Sequence, residues 1–424
     1  MTIISKATAF PKSVRPGIPK LGKKPDGWLR GPLSKHLREA LRPIELCDDT
    51  EYRLVTVKRS RGGVVEREIL PGRDIAVKTQ FVLKAGDFLI SKRQIVHGAC
   101  GVVPPDLEGT VVSNEYCVLN SIGTIDLEFL KYLSHSTYFQ ETCFHSSIGV
   151  HVEKMIFKLE DWLKWPFDLP SIKEQQRIAK MLFTWDKAIA VQEKLVANAK
   201  AHKKAMMQQL LTGKKRLPGF TGVWKKRKLA DCVAKIGSGV TPKGGEESYK
   251  PSGFALIRSQ NVSWGQLLLK NVCYIDAAQH ELMSATKLQY GDVLLNITGA
   301  SIGRAAIYEG KDNTANVNQH VCIIRPNDLL NSNYLLAFLL SEFGQKQIDQ
   351  FQAGGNRQGL NFEQVGSFRL LVPPIEEQLE LARVVLGAED QIVTMEDALN
   401  KLYSEKSALM QQLLTGKRRV KVEA

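Results

Sequence analysis

Polar side chains that can pair with DNA bases recur in short, mostly glycine-containing segments of this chain. Arginine can bond guanine through two donors, and asparagine or glutamine can bond adenine through one donor and one acceptor. Lysine, serine and threonine suit contacts to phosphate. One such residue alone is more often part of a solvated turn, but the segments together predict contact with DNA. They lie at 58–62, 78–80, 91–94 and 146–151 in the first half and at 237–245, 258–261, 296–304 and 354–359 in the second.

The residues predicted to bind DNA are charged, amide and hydroxyl side chains of these segments. They are Arg59, Arg61, Lys78, Gln80, Lys92, Arg93, Ser238, Thr241, Lys243, Arg258, Gln260, Asn261, Thr298, Ser301, Arg304, Asn356, Arg357 and Gln358. His151 and His320 have polar neighbours, and we interpret them as surface or DNA-facing residues before anything catalytic.

The sequence lacks the motifs that would make the chain an enzyme on its own. The segment 299–304 has neither the spacing nor the lysine of a phosphate-binding P-loop. The segments VPPD (103–106) and VPPI (372–375) lack the neighbours of an amino-methyltransferase motif. The histidines and cysteines show no metal-ligand spacing. We therefore expect a recognition protein with no catalytic residues, no metal and no cofactor of its own.

The charge of the chain favours a polyanionic partner. The formal net charge is +14, although many basic proteins have no such partner. Seven scattered cysteines without a C-x-x-C motif suit a reducing compartment. The basic N-terminus lacks the apolar core of a secretory signal, and the longest apolar run, 335–340, is too short to cross a bilayer. We expect a cytoplasmic protein that contacts no membrane.

Residues 170–217 recur at 373–420 with a constant offset of 203 and no gap. An ungapped repeat of this kind indicates one structural unit used twice. Each copy begins with a proline and ends on the run QQLLTGK, whose glycines are Gly213 and Gly416. A proline before the apolar pattern and a glycine after it are typical of the two ends of a helix, so each copy predicts one long helix.

Apolar residues in both copies repeat at alternating spacings of four and three, the 3.5-residue period of a coiled coil. Residues 169–217 carry 11 Lys or Arg and 3 Asp or Glu, whereas residues 372–424 carry 7 and 9. Opposite net charge favours pairing of the two helices with each other. The alternatives are that each helix covers its own domain or that both dock on another subunit. The predicted spacer and subunit-interface residues are Ile178, Leu182, Trp185, Ile189, Val196, Met206, Leu210, Leu381, Val385, Ile392, Leu399, Leu402, Leu409 and Leu413.

The repeat divides the chain into domains and spacers. The predicted segments are a basic tail (1–25), a first domain (26–168), a first spacer helix (169–217), a second domain (218–371) and a second spacer helix (372–424). Both domains open on a glycine-containing turn and a tryptophan, and both contain a Gly-Asp turn that leads into an apolar run. The predicted fold class is α+β, with two mixed α/β domains separated by two long helices that form an antiparallel coiled coil.

The predicted helices are long enough to act as a ruler. About 40 residues at ~1.5 Å each give roughly 60 Å. One turn of B-DNA is ~34 Å. An antiparallel pair would then hold two DNA-reading domains about one or more turns apart.

The chain resembles the specificity subunits of type I restriction-modification systems. The motifs that carry the resemblance are PSIKEQ (170–175) and PPIEEQ (373–378), each leading through a long helix to QQLLTGK. LPGF (217–220), GSGVTP (237–242) and GDVLLNITG (291–299) add to it, and it extends from about Pro25 to the end. The first copy departs from the pattern at Ser171 and Lys173.

The resemblance implies that each domain is a target recognition domain for one half of a bipartite, gapped sequence in double-stranded DNA. It implies that the helices set the gap and dock two modification (methyltransferase) subunits, which restriction (motor-nuclease) subunits join. This chain would be a non-catalytic subunit of a type I site-specific deoxyribonuclease and adenine-N6 DNA methyltransferase complex. S-adenosylmethionine, ATP and Mg²⁺ would belong to the partners. The alternatives are a fused or standalone DNA methyltransferase or endonuclease, and a non-specific coiled-coil adaptor.

Overall fold

The structure is a computed structural model that describes residues 18–242, 244–352 and 359–420. Contacts divide these residues into two compact units. Unit I comprises residues 18–191 and 399–420, and unit II comprises residues 192–398. Each unit therefore holds one mixed domain and a part of each long helix.

Both long helices form as the repeat predicts. The helices are α1 (Leu127–Leu133), α2 (Thr137–His145), α3 (Leu159–Trp162), α4 (Ile172–Leu210), α5 (Ala277–Leu282), α6 (Ser332–Leu340), α7 (Glu342–Gln352), α8 (Phe362–Gly366) and α9 (Ile375–Leu414). Gly213 and Gly416 follow α4 and α9 with φ of +67° each. This left-handed conformation is easily reached only by glycine, so the predicted helix ends are confirmed.

The strands are short and lie in the two domains. Those of unit I are β1 (Leu29–Pro32), β2 (Leu37–Glu39), β3 (Pro43–Ile44), β4 (Glu51–Val57), β5 (Val64–Pro71), β6 (Gln80–Val82), β7 (Phe88–Ser91), β8 (Cys100–Val102), β9 (Val111–Ser113), β10 (Tyr116–Ser121), β11 (Ser147–Ile148), β12 (Ile156–Phe157) and β13 (Pro166–Leu169). Those of unit II are β14 (Lys225–Lys228), β15 (Val233–Ser238), β16 (Phe254–Ile257), β17 (Cys273–Ile275), β18 (Val293–Asn296), β19 (Ala305–Ile307), β20 (Ala315–Val317), β21 (Val321–Pro326) and β22 (Arg369–Val372).

The two domains share a four-stranded sheet. Its order is β2-β10-β7-β8 in unit I and β15-β21-β18-β19 in unit II, with antiparallel neighbours in both. In each domain the first strand pairs with the last, β1 with β13 and β14 with β22. Beside the shared sheet, unit I has the five-stranded order β3-β6-β9-β4-β5 and unit II the three-stranded order β17-β16-β20. The common sheet with different additions indicates diverged copies of one mixed domain.

The Gly-Asp turns open central strands of this sheet. Asp87 precedes β7 and Asp292 precedes β18, and both side chains are completely buried. Each carboxylate accepts the amide three residues before it, at 2.8 and 2.7 Å. Each also pairs with an arginine at 2.7 Å, Arg42 in unit I and Arg325 in unit II. The prediction of a turn into a buried strand is confirmed, because a buried carboxylate must be bonded and paired.

In each unit the start of one long helix packs against the end of the other. Ile178, Leu182 and Leu413 belong to the core of unit I. Leu210 and Leu381 belong to the core of unit II. All fourteen predicted spacer residues are buried or half-buried. The antiparallel pairing is therefore confirmed, and the helices also complete the cores of the domains that they adjoin.

One lysine interrupts the apolar seam in each helix. Lys203 on α4 pairs with Glu389 on α9 in unit II. Lys406 on α9 pairs with Asp186 on α4 in unit I. The offset of 203 relates both the two lysines and the two acids. The break in the apolar pattern thus marks an interhelical ion pair that is used twice. Among the described residues, no helix has the length and apolar character required to cross a bilayer.

Candidate nucleic-acid interface

The Glu-Gln pair of each repeated motif attaches a domain to a long helix. Gln175 accepts the amide N–H of Asp126, and Gln378 accepts the amide N–H of Asn331, both at 2.8 Å. Asp126 caps α1 and Asn331 caps α6. Each glutamine also donates to the carbonyl of the proline five residues earlier, at 2.9 and 2.8 Å. The motif therefore fixes the start of a domain helix to the start of a spacer helix.

The glutamate of each motif bonds side chains that lie outside the spacer helix on which it stands. Glu377 accepts two hydrogen bonds from Arg216, at 2.8 and 2.7 Å, and one from the indole N–H of Trp224 at 2.9 Å. In unit I, Glu174 accepts two bonds from Arg419, both at 2.8 Å. The carboxylate raises the pKa of each guanidinium. We call each of these glutamate-arginine pairs a clasp. Arg216 lies over the ring of Trp224 and Arg419 lies over the ring of Trp28, so each clasp also holds the tryptophan at the start of a domain.

Three segments predicted to bind DNA meet at one end of the shared sheet in unit II. Thr241 donates to the amide oxygen of Gln319. The amide nitrogen of Gln319 lies 3.3 Å from Nε2 of His320. The other ring nitrogen, Nδ1, lies 2.5 Å from the hydroxyl of Thr298. We call Thr241, Thr298, Gln319 and His320 the amide cluster.

Backbone contacts bring these segments together. The amide of Gly239 donates to Asn318 at 3.1 Å, and a Cβ at Gly239 would lie 1.6 Å from the carbonyl oxygen of Val317. Only glycine allows so close an approach, which is a physical reason for the glycine in this segment. Thr298 forms a β-bridge with Gly359, the last residue of the 354–359 segment. The predicted residues Lys243, Asn356, Arg357 and Gln358 lie outside the described residues.

The remaining candidates of unit II differ in exposure. Asn261 is buried, and its amide accepts from Arg258 at 3.0 Å and donates to Leu268 at 2.9 Å. It therefore serves the loop itself. The guanidinium of Arg258 lies over Tyr249, 5.2 Å from the ring centre. The side chains Ser238, Ser301 and Arg304 are half-buried, and Gln260 is exposed.

In unit I several candidates gather around the turn between β9 and β10. Arg93 pairs with Glu115 of that turn at 2.5 Å, and Lys92 donates to the carbonyl of Asn114 at 2.7 Å. Arg59 donates to Gln94 at 2.8 Å and to Glu153 at 2.9 Å. The segments 58–62 and 91–94 therefore lie together, and their cations face carboxylates on neighbouring loops.

Three other candidates of unit I bond within the domain. Arg61, at φ +57°, donates to the carbonyl of Ser134 at 2.8 Å, and burial lowers the pKa of its guanidinium. Lys78 donates to Gly72 at 2.9 Å, and the buried Gln80 donates to Val77 at 2.8 Å. Contact of these three side chains with DNA stays a prediction, and the structure assigns each of them a bond that holds a loop.

Sequence reasoning missed Gln319 and Glu115, and it interpreted His320 as a surface or DNA-facing residue without including it among the predicted DNA contacts. Gln319 and His320 lie in the turn before β21, and Glu115 lies in the turn before β10. The strands β21 and β10 occupy the same place in the strand order of the shared sheet. The signal was the similarity of NEYCVL (114–119) and NQHVCI (318–323), whose apolar halves are strands. In the described part of the chain, no group of three or more His, Cys, Asp or Glu is placed to hold a metal ion.

A repeated mixed domain with polar side chains gathered at its loops, attached twice to paired helices, defines a DNA-recognition protein with two recognition domains. The chain belongs to the family described as "Type I restriction modification DNA specificity domain", which matches residues 39–201 and 223–402. It is thus grouped with the specificity subunits of type I restriction-modification systems, a family that is in general non-catalytic. The earlier resemblance to that family is confirmed.

Relatives and solved structures agree with this assignment. The type I restriction enzyme MjaVIII specificity subunit of Methanocaldococcus jannaschii is 26% identical over 284 residues, 64% of this chain and 65% of that protein. The EcoKI specificity subunit of Escherichia coli is 21% identical over 304 residues, 68% of this chain and 63% of that protein. The chain spans 45% to 65% of the length of the curated relatives that it matches. The S subunit structure from M. genitalium has a TM-score of 0.58 at 14% identity, covering 93% of this chain and 97% of that one, and shows the same fold.

Proposed function

We propose that this chain directs a type I restriction-modification complex to a bipartite, gapped sequence in double-stranded DNA. Each domain reads one half of the target, and the paired helices set the gap between the halves. Two modification subunits dock on the chain and methylate the target, and restriction subunits join them. S-adenosylmethionine, ATP and Mg²⁺ are bound by those partners.

The observation that carries this proposal is the doubled attachment. Gln175 and Gln378 make the same bonds, and so do Glu174 and Glu377 with their arginines. The loops that these anchors support differ, because the turn before β10 carries Glu115 and the turn before β21 carries Gln319. Equal attachment with unequal loops suits a protein that reads two different half-sites with one scaffold.

Apolar side chains left exposed on the helices support a protein partner. Met181 and Phe183 of α4 are 36% and 46% exposed in unit I. Leu379 of α9 is 50% exposed in unit II. Ile375, one turn earlier on the same face of α9, is 36% exposed. Neighbouring exposed apolar side chains of this kind suit a protein-protein contact.

The test is selection from a random duplex pool by the chain assembled with its modification subunits. We expect enrichment of two short fixed elements separated by a gap of constant length. A single continuous element would contradict the two-reader proposal, and no enrichment would favour a non-specific adaptor. Methyl transfer by the purified chain alone would contradict the assignment of chemistry to partners.

A further inference from the structure

The amide cluster gives Gln319 a defined orientation. The Thr241 hydroxyl lies against the amide oxygen of Gln319 and donates to it. The amide nitrogen of Gln319 is a donor, and His320 Nε2 at 3.3 Å must then accept from it. The ring proton consequently lies on Nδ1, which donates to the Thr298 hydroxyl at 2.5 Å.

The turn that carries Gln319 is held from both sides. The amide of His320 donates to the side-chain oxygen of Asn318 at 3.1 Å. The carbonyl of Asn318 accepts the amide of Gly239 at 3.1 Å. Asn318 itself is 8% exposed, whereas Gln319 is exposed. A fixed backbone therefore presents an exposed side chain whose amide is already oriented.

The hydrogen-bonding capacity left on Gln319 matches one base. An amide oxygen accepts two bonds and an amide nitrogen donates two, so one acceptor and one donor remain once the bonds to described residues are made. In the major groove adenine offers an acceptor at N7 and a donor at N6, whereas guanine offers two acceptors and cytosine only a donor. We infer that Gln319 reads an adenine in the half-site bound by the second domain, and that Thr241 and His320 are positioning residues. This inference rests on the proposed function.

A second histidine-amide pair in the same unit shows how a structural network of these residues differs. His280 bonds Asn316 at 2.5 Å, and both are at most 2% exposed. The amide nitrogen of Asn316 donates to the carbonyl of Met283 and to the hydroxyl of Thr286, at 3.0 and 2.9 Å. Both N–H donors of the Asn316 amide are therefore used inside the core. The amide cluster leaves capacity on an exposed side chain, as a reading site requires.

The equivalent turn of the first domain has different chemistry. Glu115 stands there, and Arg93 pairs with it at 2.5 Å. A carboxylate has no donor, so it cannot form the two bonds that adenine requires. The adenine contact is therefore expected in one half of the target only.

The experiment compares targets selected by the full chain, assembled with its modification subunits, and by the variant Gln319→Glu. Glutamate keeps the size of the side chain and removes the donor, so it suits cytosine N4 instead of adenine. We expect loss of one fixed adenine, a binding preference that falls by about 5- to 150-fold at that position, and no change elsewhere. Gln266→Glu is the matched control, because Gln266 is an exposed glutamine of the same unit outside the amide cluster.

A second variant tests the positioning role. His320→Ala removes the acceptor that holds the Gln319 amide, so the same position should become degenerate while the gap and the other positions stay fixed. Selection of an unchanged motif by Gln319→Glu would overturn the inference. Equal weakening at every position would also overturn it, because that result is typical of a phosphate contact or of misfolding. A wild-type chain that enriches no gapped motif would instead contradict the proposed function.

Discussion

Removal of the Glu377 carboxylate should destabilise unit II far more than removal of its neighbour. The Glu377 side chain is completely buried and accepts three hydrogen bonds, two from Arg216 and one from Trp224. Glu377→Ala leaves a guanidinium and an indole N–H without their acceptor. The change therefore removes one partner of a buried ion pair and leaves the other behind, which is the costly case.

The magnitude follows from burial on each side of the pair. Breaking a buried ion pair by removing one partner costs about 3–5 kcal/mol. The Arg216 side chain remains 31% exposed and can be rehydrated in part, so we expect roughly 2–4 kcal/mol for Glu377→Ala. Glu174→Ala in unit I should cost about 1–2 kcal/mol less, because the indole nitrogen of Trp28 has no hydrogen-bond partner among the described residues.

The assay is urea unfolding combined with hydrogen exchange, since a chain with two units need not unfold in one step. Exchange should accelerate in peptides covering 213–228 for Glu377→Ala and in peptides covering 25–31 for Glu174→Ala. The control is Glu376→Ala, an exposed glutamate in the same helical turn, with an expected cost of about 0.3–1 kcal/mol. Equal losses for Glu377→Ala and Glu376→Ala would refute the clasp.

Three further predictions concern acid stability, thiol reactivity and target spacing. Burial, with Arg61 nearby, lowers the pKa of His135 from 6.5 to about 3. Between these values the unfolded chain binds a proton that the folded chain does not, so the free energy of unfolding falls as pH falls. At pH 5, His135→Gln should restore about 1–2 kcal/mol of the free energy of unfolding that the wild-type chain loses to this effect, as measured by urea unfolding. The control His151→Gln, at an exposed histidine, should not restore it. Burial also raises the pKa of Cys117 and Cys322 to about 12, so native-state alkylation read by mass spectrometry should label the exposed Cys47 before either of them. Deletion of 189–195 together with 392–398 should shorten the selected gap by roughly 3 base pairs, because a heptad is ~10 Å of helix; altered half-sites at an unchanged gap would contradict the ruler.

The helices and their ends could be predicted from the sequence because their signals are local and doubled. A 3.5-residue period over several heptads and a glycine after it are read without knowledge of any distant residue. The half-buried lysines Lys203 and Lys406 could be located as breaks in that period, although their acidic partners were not identified. To identify these partners one must know which residues of α4 lie opposite which residues of α9, and the structure of the antiparallel pair gives that register.

The candidate interface could be predicted only as a set of segments. Asn261 and Gln80 have the residue type of a base reader, but the fold buries both and bonds their amides to nearby backbone. Composition does not distinguish an amide that holds a loop from one that faces solvent. Gln319 was missed for the opposite reason, because it lies in a short turn between apolar strands, and its partner Thr241 is 78 residues away.

The anchors explain how two copies of one domain can keep their attachment while their loops diverge. Gln175 and Gln378 bond backbone amides of the domains, so the side chain of the bonded residue is free to differ. It is Asp126 in one copy and Asn331 in the other. Both residues cap a helix equally well. Among the described residues, the Glu377 carboxylate bonds Arg216 and Trp224, and the Glu174 carboxylate bonds Arg419. Because the bonds of the anchors in the described part of the chain reach no reading loop, a change such as Glu115 against Gln319 alters what a domain can recognise without loosening the domain from its helix.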